Sequence, residues 1–530
     1  KRTVALMFAT NDWPFPTILT KTNADPNNEC VQPFIGWPGE ENYLTYNVCY
    51  DANGYPLQNA VLTDYLPAEV DFYSCTNDGV YNFNNHTVTW DLGNVGENDS
   101  NCFEVVTMVN FYAKPGGKFT NCIRLESSEG IIKDAAVDVN VCYWGGQIIY
   151  VDKDATGYNN GTSWYDAFTD LQDALTAARN SLGYATAVWV AAGTYKPIDN
   201  MESGYQNATF LLPDNVALIG HFGGVGTYET DPAQRNLADP NKETILDGHI
   251  GVNYYKAVYN VVKAADVNTA LIDGFTIKGA YSGSGVLLNY SDVSIVNCKF
   301  ENNYNYGVNV TNFSWPDIHN CTFKNNSGSA VYVSNHCEPI ISYSVFDGNS
   351  VTNIGVNLSY YSGAEITDSL IKNHTGNGVY SSGSSLEIAN SQFENNSGNI
   401  GISQTTLNLS GSEITDSQYY GIQASSYSGL TIDQSTIAGS AYDGIYAESG
   451  CDLTLTRSKI HHNGYNGVRL SDNLITDFKS NWIYKNGTSQ YYTYYGGAGI
   501  AFNNQGDIPL VMHHTLYDNR TYGITSSQYG

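Results

Sequence analysis

From Cys298 onward, apolar and polar positions recur with a period of about 22 to 23 residues, in ten copies of one short pattern. Each copy is anchored by one apolar residue: Phe300, Phe323, Phe346, Ile371, Phe393, Ile414, Ile437, Ile460, Ile483 and Tyr517. This period is typical of one coil of a parallel β-helix. Because one copy has too little apolar surface to form its own core, we expect the copies to stack as a solenoid.

Two further columns accompany each apolar position. About seven residues after it, a small residue precedes a β-branched one, as in Gly307–Val308 and Gly401–Ile402. Three residues after it stands a mostly polar column: Asn303, Asn326, Asn349, His374, Asn396, Ser417, Ser440, Asn463, Asn486 and Arg520. Side chains stacked at the strand spacing of about 4.8 Å can hydrogen-bond from coil to coil. We therefore interpret this column as structural.

A helix is predicted just before the solenoid. The apolar residues with helical spacing are Trp164, Phe168, Leu171, Leu175 and Ala178. Ser163 and Asp166 have the spacing of a capping box. Such a helix can cover the first coil.

Between Cys30 and Cys142 the apolar period changes to two. Leu44, Tyr46 and Val48, for example, alternate with polar neighbours. Turn residues separate successive short segments of this kind, so the region reads as a small antiparallel β-sandwich. Residues 1–28 form a lead-in that is too short to be a domain.

Cysteine use adds a prediction about this sandwich. Six of the ten cysteines lie in it: Cys30, Cys49, Cys75, Cys102, Cys122 and Cys142. An even number in a small domain of extracellular type predicts three disulfides, whose pairing the sequence does not give. Several of these cysteines fall on the polar phase of their strands, which favours surface bridges between neighbouring strands or loops. Cys298 and Cys321 lie one coil apart and either form a bridge or pack as small apolar residues.

Motifs in the sandwich carry a resemblance to a known family. They are Tyr43–Tyr46, Thr63–Pro67, Val70–Phe72, Thr87–Gly93 and Thr120–Asn121. The region resembles the immunoglobulin-like conserved-repeat domain of bacterial and archaeal surface proteins. The resemblance implies a spacer or stalk module without catalytic residues.

A second resemblance begins where the sandwich ends. Ile149–Asp152, Trp189–Tyr195 and Ile245–Gly248 are similar to the opening of pectin-lyase-like right-handed β-helix proteins. That family includes polysaccharide lyases and hydrolases, and also adhesins and surface proteins with no known chemistry.

The pattern and the resemblances together predict an all-β fold. An N-terminal immunoglobulin-like β-sandwich precedes a right-handed parallel β-helix with an N-terminal capping helix. The predicted boundaries are 1–28 for the lead-in, 29–144 for the sandwich and 147–530 for the β-helix. The β-helix divides further into a cap over 147–195, irregular coils over 196–290 and regular coils over 291–530.

The composition limits the kinds of molecule that this protein is expected to bind. The formal charge is −28, with 24 Lys and Arg residues against 52 Asp and Glu. So acidic a surface repels a phosphate backbone, which argues against nucleic acid, and it favours divalent cations such as Ca²⁺. The sequence has no apolar run long enough to span a membrane and no visible signal peptide. We expect an extracellular, cell-surface location and no other cofactor.

Candidate chemistry is sparse. Glu365 and Glu387 are predicted to stack one coil apart, where two like charges either share a cation or simply remain solvated. Arg457, Lys459 and His461 form a small basic cluster that is either a lyase base site or ordinary surface. Nucleophile-elbow, zinc-protease, phosphate-loop and dinucleotide motifs are absent from the sequence.

Tyrosines and glycosylation sequons complete the picture. The 42 tyrosines cluster at pairs such as Tyr360–Tyr361 and in the run Tyr491–Tyr495, where exposed rings either stack on sugars or fill a protein interface. Sequons permit glycosylation at several positions: Asn85, Asn160, Asn207, Asn289, Asn309, Asn373 and Asn486.

Two hypotheses of function remain. The first is a structural or adhesive cell-envelope protein without catalytic activity, such as a component of a surface layer, sheath or filament, or an adhesin. The open last coil is then an edge for self-association, and carbohydrate is a further partner. The alternative is a polysaccharide lyase, or another carbohydrate-active enzyme, that acts on an acidic polysaccharide.

Overall fold

The computed structural model describes residues 18–23, 43–83, 85–109, 113, 118–140, 148–180, 186–197, 205–227, 229–230, 232–250, 257–348, 353–471, 474–488, 497–503 and 515–527. The chain divides into two compact units. The first comprises 1–147 and 228–235, and the second comprises 148–227 and 236–530.

Nine strands make up the first unit in the described residues: β1 Ile18–Asn23, β2 Tyr43–Asp51, β3 Leu57–Tyr65, β4 Val70–Cys75, β5 Val80–Asn82, β6 Thr87–Val95, β7 Ser100–Val109, β8 Lys118–Glu126 and β9 Ile132–Asn140. They form two antiparallel sheets with the orders β1-β2-β7-β4 and β5-β6-β3-β8-β9. Strand alternation places one face of each sheet in a shared core, in which Tyr46, Leu62, Trp90 and Ile123 are buried. The first strand comes from the segment that the sequence assigns to the lead-in.

The second unit winds through three parallel sheets. Within the described residues each sheet has 13 strands, and each coil contributes one strand to each sheet in turn. Sheet A contains Ile148–Val151, Thr186–Ala191, Val216–Phe222, Ala270–Asp273, Val293–Val296, Asp317–His319, Ile340–Ser342, Gly363–Thr367, Ser385–Ala389, Thr406–Ser410, Gly429–Asp433, Asp452–Thr456 and Leu474–Lys479. Sheet B contains Gly193–Tyr195, Thr244–Asp247, Phe275–Lys278, Lys299–Glu301, Thr322–Lys324, Val345–Asp347, Leu370–Lys372, Gln392–Glu394, Glu413–Thr415, Thr436–Ala438, Lys459–His461, Trp482–Tyr484 and Thr515–Tyr517.

Sheet C contains Phe210–Leu211, Val262–Ala265, Ser284–Asn289, Tyr306–Thr311, Ser329–Ser334, Ile354–Ser359, Asn377–Ser382, Gly398–Ser403, Ile422–Ser425, Ile445–Glu448, Val468–Ser471, Ile500–Asn503 and Ile524–Ser527. One continuous apolar core runs inside the three sheets. Together with the sandwich sheets, this architecture confirms the predicted all-β fold class. Short 3₁₀ helices occur at Tyr205–Asn207, Pro232–Gln234 and Pro240–Lys242.

The predicted capping helix forms, but it begins later than its apolar stripe. Helix α1 spans Leu171–Arg179, with Asp170 as the N-cap that accepts a hydrogen bond from the Gln172 N–H. Phe168 instead forms a β-bridge with Val151, and Trp164 packs its ring against Trp189. Tertiary packing of these two aromatic rings therefore overrides the helical spacing at the start of the stripe.

The apolar column of the sequence is the inward column of sheet B. Phe300 stacks on Phe323 and Phe323 on Phe346, with ring centroids 4.9 and 4.6 Å apart. In the last coil the inward residue is Leu516 and not the predicted Tyr517. Leu516 pairs in register with Ile483, and Tyr517 lies on the outer side of the strand. In the companion column of sheet C, Ile400 takes the place predicted for Ile402, because Ile400 pairs with Val379.

The polar column hydrogen-bonds along the solenoid. The Asn303 backbone N–H and Nδ2 both donate to Asn326 Oδ1, at 3.2 and 3.0 Å. Asn463 and Asn486 repeat this arrangement near the other end. The corresponding residue of the last coil is Asn519, where Arg520 was predicted. Asn349 lies outside the described residues.

A serine column, which sequence reasoning missed, lines the turn between sheets A and B. The backbone N–H of Ser344 donates to Ser369 Oγ, and that of Ser369 to Ser391 Oγ, at 3.1 and 3.2 Å. Cys298 and Cys321 occupy earlier positions of this column as buried thiols, and each Sγ lies 3.3 Å from a backbone carbonyl oxygen of its own turn. Burial raises the pKa of the Cys321 thiol well above its usual value. Both cysteines therefore pack as small core residues.

Candidate functional site

Exposed aromatic rings stack along the turn between sheets C and A. We call this set the aromatic ladder: Tyr290, Phe313, His336 and Tyr361, one residue from each of four successive coils. Consecutive ring centroids are 6.1, 5.1 and 5.7 Å apart, and the planes differ by 15° or less. Tyr361 is 76% exposed, whereas Phe300 of the inward column is fully buried in the core.

The backbone at the aromatic ladder is in a costly conformation. All four ladder residues have φ between 50° and 61°, a region that bulky residues rarely adopt. Asparagine and glycine occupy this region at lower cost: Asn335 does so directly before His336, and Gly383 holds the equivalent turn of the coil after Tyr361. Strain of this kind is typical of positions kept for function.

A polar pocket adjoins the end of the aromatic ladder. In the coil after Tyr360–Tyr361 the equivalent turn is Gly383–Ser384, because the Tyr361 N–H donates to the Gly383 carbonyl oxygen. The stack of rings therefore stops at Tyr361, and the small residues leave a surface pocket of about 770 Å³. Its lining includes Tyr332, Asn357, Ser359, Tyr360, Tyr361 and Gln404, and the complete set of lining residues is uncharged.

Regular strands hold the pocket side chains. Tyr332, Asn357 and Tyr380 stand one above the other on the outer face of sheet C, paired in register. The Tyr332 hydroxyl and Ser359 Oγ are 3.1 Å apart and fix each other across one coil. The aromatic ladder and the pocket together offer the ring face of Tyr361, the edges of the other rings, hydroxyl groups and amides on a rigid sheet.

A second cluster of polar side chains lies at sheet C, and its members contact one another. Arg469 Nε lies 3.0 Å from Asp443 Oδ2, and the guanidinium lies 4.0 Å from the centre of the Tyr446 ring. Burial raises the pKa of the Asp443 carboxyl, which the positive charge of Arg469 opposes. The Tyr446 hydroxyl donates to Glu448 at 2.5 Å. Since these groups serve as partners for one another, the cluster reads as structural.

The two glutamates predicted from the sequence lie side by side on sheet A. Glu365 and Glu387 are paired in register on adjacent strands, and Glu387 is exposed. The Asn408 amide approaches Glu387 Oε1 at 3.5 Å from the next coil. In the described residues no group of three or more His, Cys, Asp or Glu side chains is arranged to hold a metal ion.

The predicted basic cluster lies elsewhere and is engaged locally. Arg457 Nε donates to Asp433 Oδ1 at 2.8 Å and, against the effect of burial, this contact lowers the pKa of Asp433. Lys459 and His461 lie on sheet B, where the His461 ring stacks on Tyr484 with centroids 4.8 Å apart. Burial, and then the charge of His462, lowers the pKa of His461. Arg457 follows the third strand beyond that of Glu387, about 14 Å along the solenoid. The structure therefore does not bring the carboxylates and the basic cluster into one groove.

Four of the six cysteines of the sandwich lie in the described residues. Cys49 and Cys102 form a disulfide between neighbouring strands β2 and β7. Cys75 and Cys122 are free thiols, and Cys75 Sγ contacts the Gly79 carbonyl oxygen. Cys30 and Cys142 lie outside the described residues, as do Tyr491–Tyr495.

The glycosylation candidates differ in accessibility. Asn85, Asn160 and Asn207 are exposed, and Asn289, Asn309 and Asn373 are half-buried. Asn486 is not an accessible candidate, because it is 2% exposed and its amide donates to Ile460 O and Asn519 Oδ1. That nitrogen is not available for a glycan in the folded chain.

The comparison with known families agrees with this geometry. The family described as "Right handed beta helix region" matches residues 260–406 and 377–530, which together span just over half of the chain. The chain belongs to the right-handed β-helix family. This match confirms the handedness predicted for the solenoid. No curated protein matches the chain at a significant level.

Solved structures of several kinds are similar to this β-helix protein. The A-module of the Azotobacter vinelandii mannuronan C-5 epimerase AlgE4 is 15% identical over 72% of this chain and 97% of its own, with a TM-score of 0.41. The periplasmic alginate epimerase AlgG is 12% identical over 55% of this chain and 71% of its own, with a TM-score of 0.32. A fragment of the Streptococcus agalactiae major pilin GBS80 is 12% identical over 26% of this chain and 59% of its own, with a TM-score of 0.19. At these values the similarities assign no activity to this chain.

The aromatic ladder has a sequence signal that was overlooked. Its members are spaced by 23, 23 and 25 residues in the sequence, which is the coil period. Sequence reasoning singled out Tyr360–Tyr361 as a local pair, whereas the period relates Tyr361 to rings in three earlier coils. A search for aromatic residues at the coil period finds this column.

Proposed function

We propose that this protein is an extracellular, non-catalytic carbohydrate-binding protein of the cell envelope, of adhesin type, that binds a glycan on the aromatic ladder and its pocket. The observation that carries the proposal is the stack of exposed rings that ends at an uncharged pocket of hydroxyl and amide groups. Sites of this composition are typical of ligand binding.

The chemistry of the surface fits a sugar. A pyranose ring has C–H-rich faces that stack on aromatic rings, and its rim carries hydroxyl groups that need donors and acceptors. Tyr361, the last ring of the stack, supplies a ring face at the pocket, while Asn357, Ser359 and Gln404 supply donors and acceptors beside it. Because the ladder crosses four coils, it suits a polymer better than a single sugar.

Charge favours a neutral glycan. The pocket lining contains no charged side chain, and the protein carries a formal charge of −28. An acidic polysaccharide would meet repulsion without a compensating cation in the pocket.

The proposed location rests on the disulfide of the sandwich. The Cys49–Cys102 bridge is typical of proteins from oxidising compartments outside the cytosol. The part of the chain that the structure describes contains no helix with the length and apolar character needed to cross a bilayer.

The alternative, a lyase of acidic polysaccharide, has weaker support. A lyase needs its base and its charge-neutralising groups around one substrate. Glu365 and Glu387 lie on sheet A, whereas Lys459 and His461 lie on sheet B several coils away. Arg457 is held by Asp433.

Affinity electrophoresis in gels that contain neutral polysaccharides tests the proposal. We expect retardation of the wild type by at least one glucan, mannan or galactan, and Tyr361→Ala should weaken the binding at least tenfold because the last ring of the stack is lost. Tenfold corresponds to about 1.4 kcal/mol. Tyr427→Ala is the matched control, since Tyr427 is 83% exposed in an equivalent turn outside the aromatic ladder.

Two results would contradict the proposal. One is equal binding by Tyr361→Ala and the wild type when both have the same unfolding midpoint. The other is release of unsaturated products from an acidic polysaccharide that Glu387→Gln or Lys459→Met abolishes, which would establish the lyase instead.

A further inference from the structure

The core of the sandwich contains a buried ion pair. Lys21 of strand β1 and Asp64 of strand β3 have side chains with no solvent exposure, and Lys21 Nζ lies 2.5 Å from Asp64 Oδ1. The two strands belong to different sheets, so the contact crosses the core. Burying two charges in an apolar core is expensive, and the gain in stability over apolar residues is small or negative. Stability alone does not explain the pair.

A third buried polar side chain faces this pair. Asn121 of strand β8 has no exposed surface and lies beside the Asp64 carboxyl and the Tyr46 hydroxyl. Among the described residues, neither Oδ1 nor Nδ2 of Asn121 has a partner with hydrogen-bond geometry. A buried amide without hydrogen bonds costs about 1 to 3 kcal/mol. Such a group is typical of a site with a chemical role.

The surroundings exclude water and disfavour charge. Tyr46, Val48 and Thr107 are buried completely, and the Tyr46 ring centre lies 4.5 Å from Lys21 Nζ. Burial lowers the pKa of Lys21 to about 8, although the charge of Asp64 opposes the shift. Burial likewise raises the pKa of Asp64 against the charge of Lys21. Burial of the pair therefore favours a neutral amine next to a protonated carboxyl.

We infer that Lys21 and Asn121 join through an intramolecular isopeptide bond whose formation Asp64 catalyses. The Lys21 Nζ lone pair attacks Cγ of Asn121, while the Asp64 carboxyl donates a proton to the amide oxygen. The Asp64 carboxylate then takes a proton from the attacking nitrogen and passes it to the departing nitrogen. As ammonia leaves and the C=O bond re-forms, the hydroxyl proton returns to Asp64, which is thereby restored as a carboxyl group. One C–N bond forms, one C–N bond breaks, ammonia leaves, and no oxidant or other reagent is consumed.

Each part of this mechanism uses a group that is already in place. A buried lysine amine is nucleophilic because desolvation favours its neutral form. The fold brings amine, carboxyl and carboxamide together with no cost of association, which accelerates a step that is slow in water. Asp64 touches the reacting nitrogen and is the catalytic residue.

The bond would link strand β1 covalently to strand β8 across the two sheets. A link between distant positions stabilises mainly by restricting the unfolded chain. Unlike the Cys49–Cys102 bridge, it resists reducing agents. This inference is independent of the proposed carbohydrate binding.

Intact mass spectrometry of the reduced, denatured full chain tests it. We expect the wild type to be lighter than its sequence by one ammonia, about 17 Da, and a protease digest to yield one branched peptide that contains Lys21 and Asn121. Lys21→Met, Asp64→Asn and Asn121→Ala should each have the full sequence mass. The matched control is Lys118→Met, because Lys118 is an exposed lysine of the same sandwich, and it should retain the mass loss.

Three outcomes would overturn the inference. They are a wild type of full sequence mass, a loss of about 18 Da with Lys21 joined to Asp64, and a loss that persists in Asn121→Ala. If a core variant does not fold, the mass and the branched peptide of the wild type still decide the question.

Discussion

Residues with positive φ organise the turns of this solenoid. Asparagines hold many of them, including Asn297, Asn320 and Asn373, and their amides hydrogen-bond to the preceding coil. Asparagine tolerates this region because its short side chain bonds locally. Aromatic residues are less common at such turns, although Tyr343 and Tyr427 also occupy them outside the aromatic ladder. The ladder differs from these single rings because its four members stack on one another.

A residue-scale prediction concerns His319. Its side chain is 8% exposed, and burial lowers its pKa to about 4. Between pH 4 and the unfolded value near 6.5 the unfolded chain therefore binds more protons than the folded chain, so stability is full above about 6.5 and falls as the pH falls toward 4. The loss should reach about 2 to 3 kcal/mol.

Urea unfolding of the wild type and His319→Gln at pH 7 and pH 4.5 measures this effect. The variant should lose less stability between the two pH values than the wild type. His336→Gln is the control, because His336 is exposed. An unchanged pH dependence in His319→Gln would show that another group is responsible.

At the scale of elements, coils are held together by strand pairing and by columns of side chains in the turns. Each sheet C strand pairs with the strand one coil away, and each column repeats that register. The asparagine column satisfies backbone N–H groups that the turn leaves without a strand partner. One side chain therefore supports two coils.

Asn463 tests the asparagine column. It is fully buried, donates to Asn486 Oδ1 and Ile437 O, and accepts from the Ser440 N–H. Asn463→Ala removes the acceptor of the buried Ser440 N–H and one of the two hydrogen bonds to Asn486 Oδ1. The free energy of unfolding should therefore fall by about 2 to 4 kcal/mol.

Asn408→Ala provides the comparison, because Asn408 is exposed on the outer face of sheet A. Its effect should stay within about 0.5 kcal/mol. Denaturant unfolding followed by circular dichroism measures both variants. Equal losses of unfolding free energy in the two variants would show that the asparagine column does not stabilise the stacking of the coils.

At the scale of the whole molecule, the acidic surface governs which polymers approach. With a formal charge of −28, long-range repulsion acts on any polyanion. We expect an acidic polysaccharide to bind more weakly than a neutral one, and added salt to narrow the difference because the Debye length falls from about 10 Å at 0.1 M to about 3 Å at 1 M.

Affinity electrophoresis with paired neutral and carboxylated forms of one polysaccharide, at low and high NaCl, makes this measurement. Tighter binding of the carboxylated form at low salt would reverse the expected order. Self-association into a layer, sheath or filament, with or without Ca²⁺, stays a prediction.

The sequence by itself determined the solenoid, because in a coiled chain each stacked neighbour lies one period away. The inward column from Phe300 to Ile483 and the asparagine column from Asn303 to Asn486 both follow from that rule. The period also contained the spacing of Tyr290, Phe313, His336 and Tyr361, although not their exposure. Where coils vary in length, counting by the period no longer identifies the inward residue. In the last coil that residue is therefore Leu516 and not Tyr517.

Only the tertiary structure decided which columns meet. Glu387 and Lys459 are both candidates for a lyase site in the sequence, but they lie on different sheets, because each turn redirects the chain to a new face. The pocket at Tyr361 depends on the small residues of the following coil. Lys21, Asp64 and Asn121 come together through pairing of strands far apart in the sequence. No local pattern announces such a trio, since it arises where two antiparallel sheets share a core.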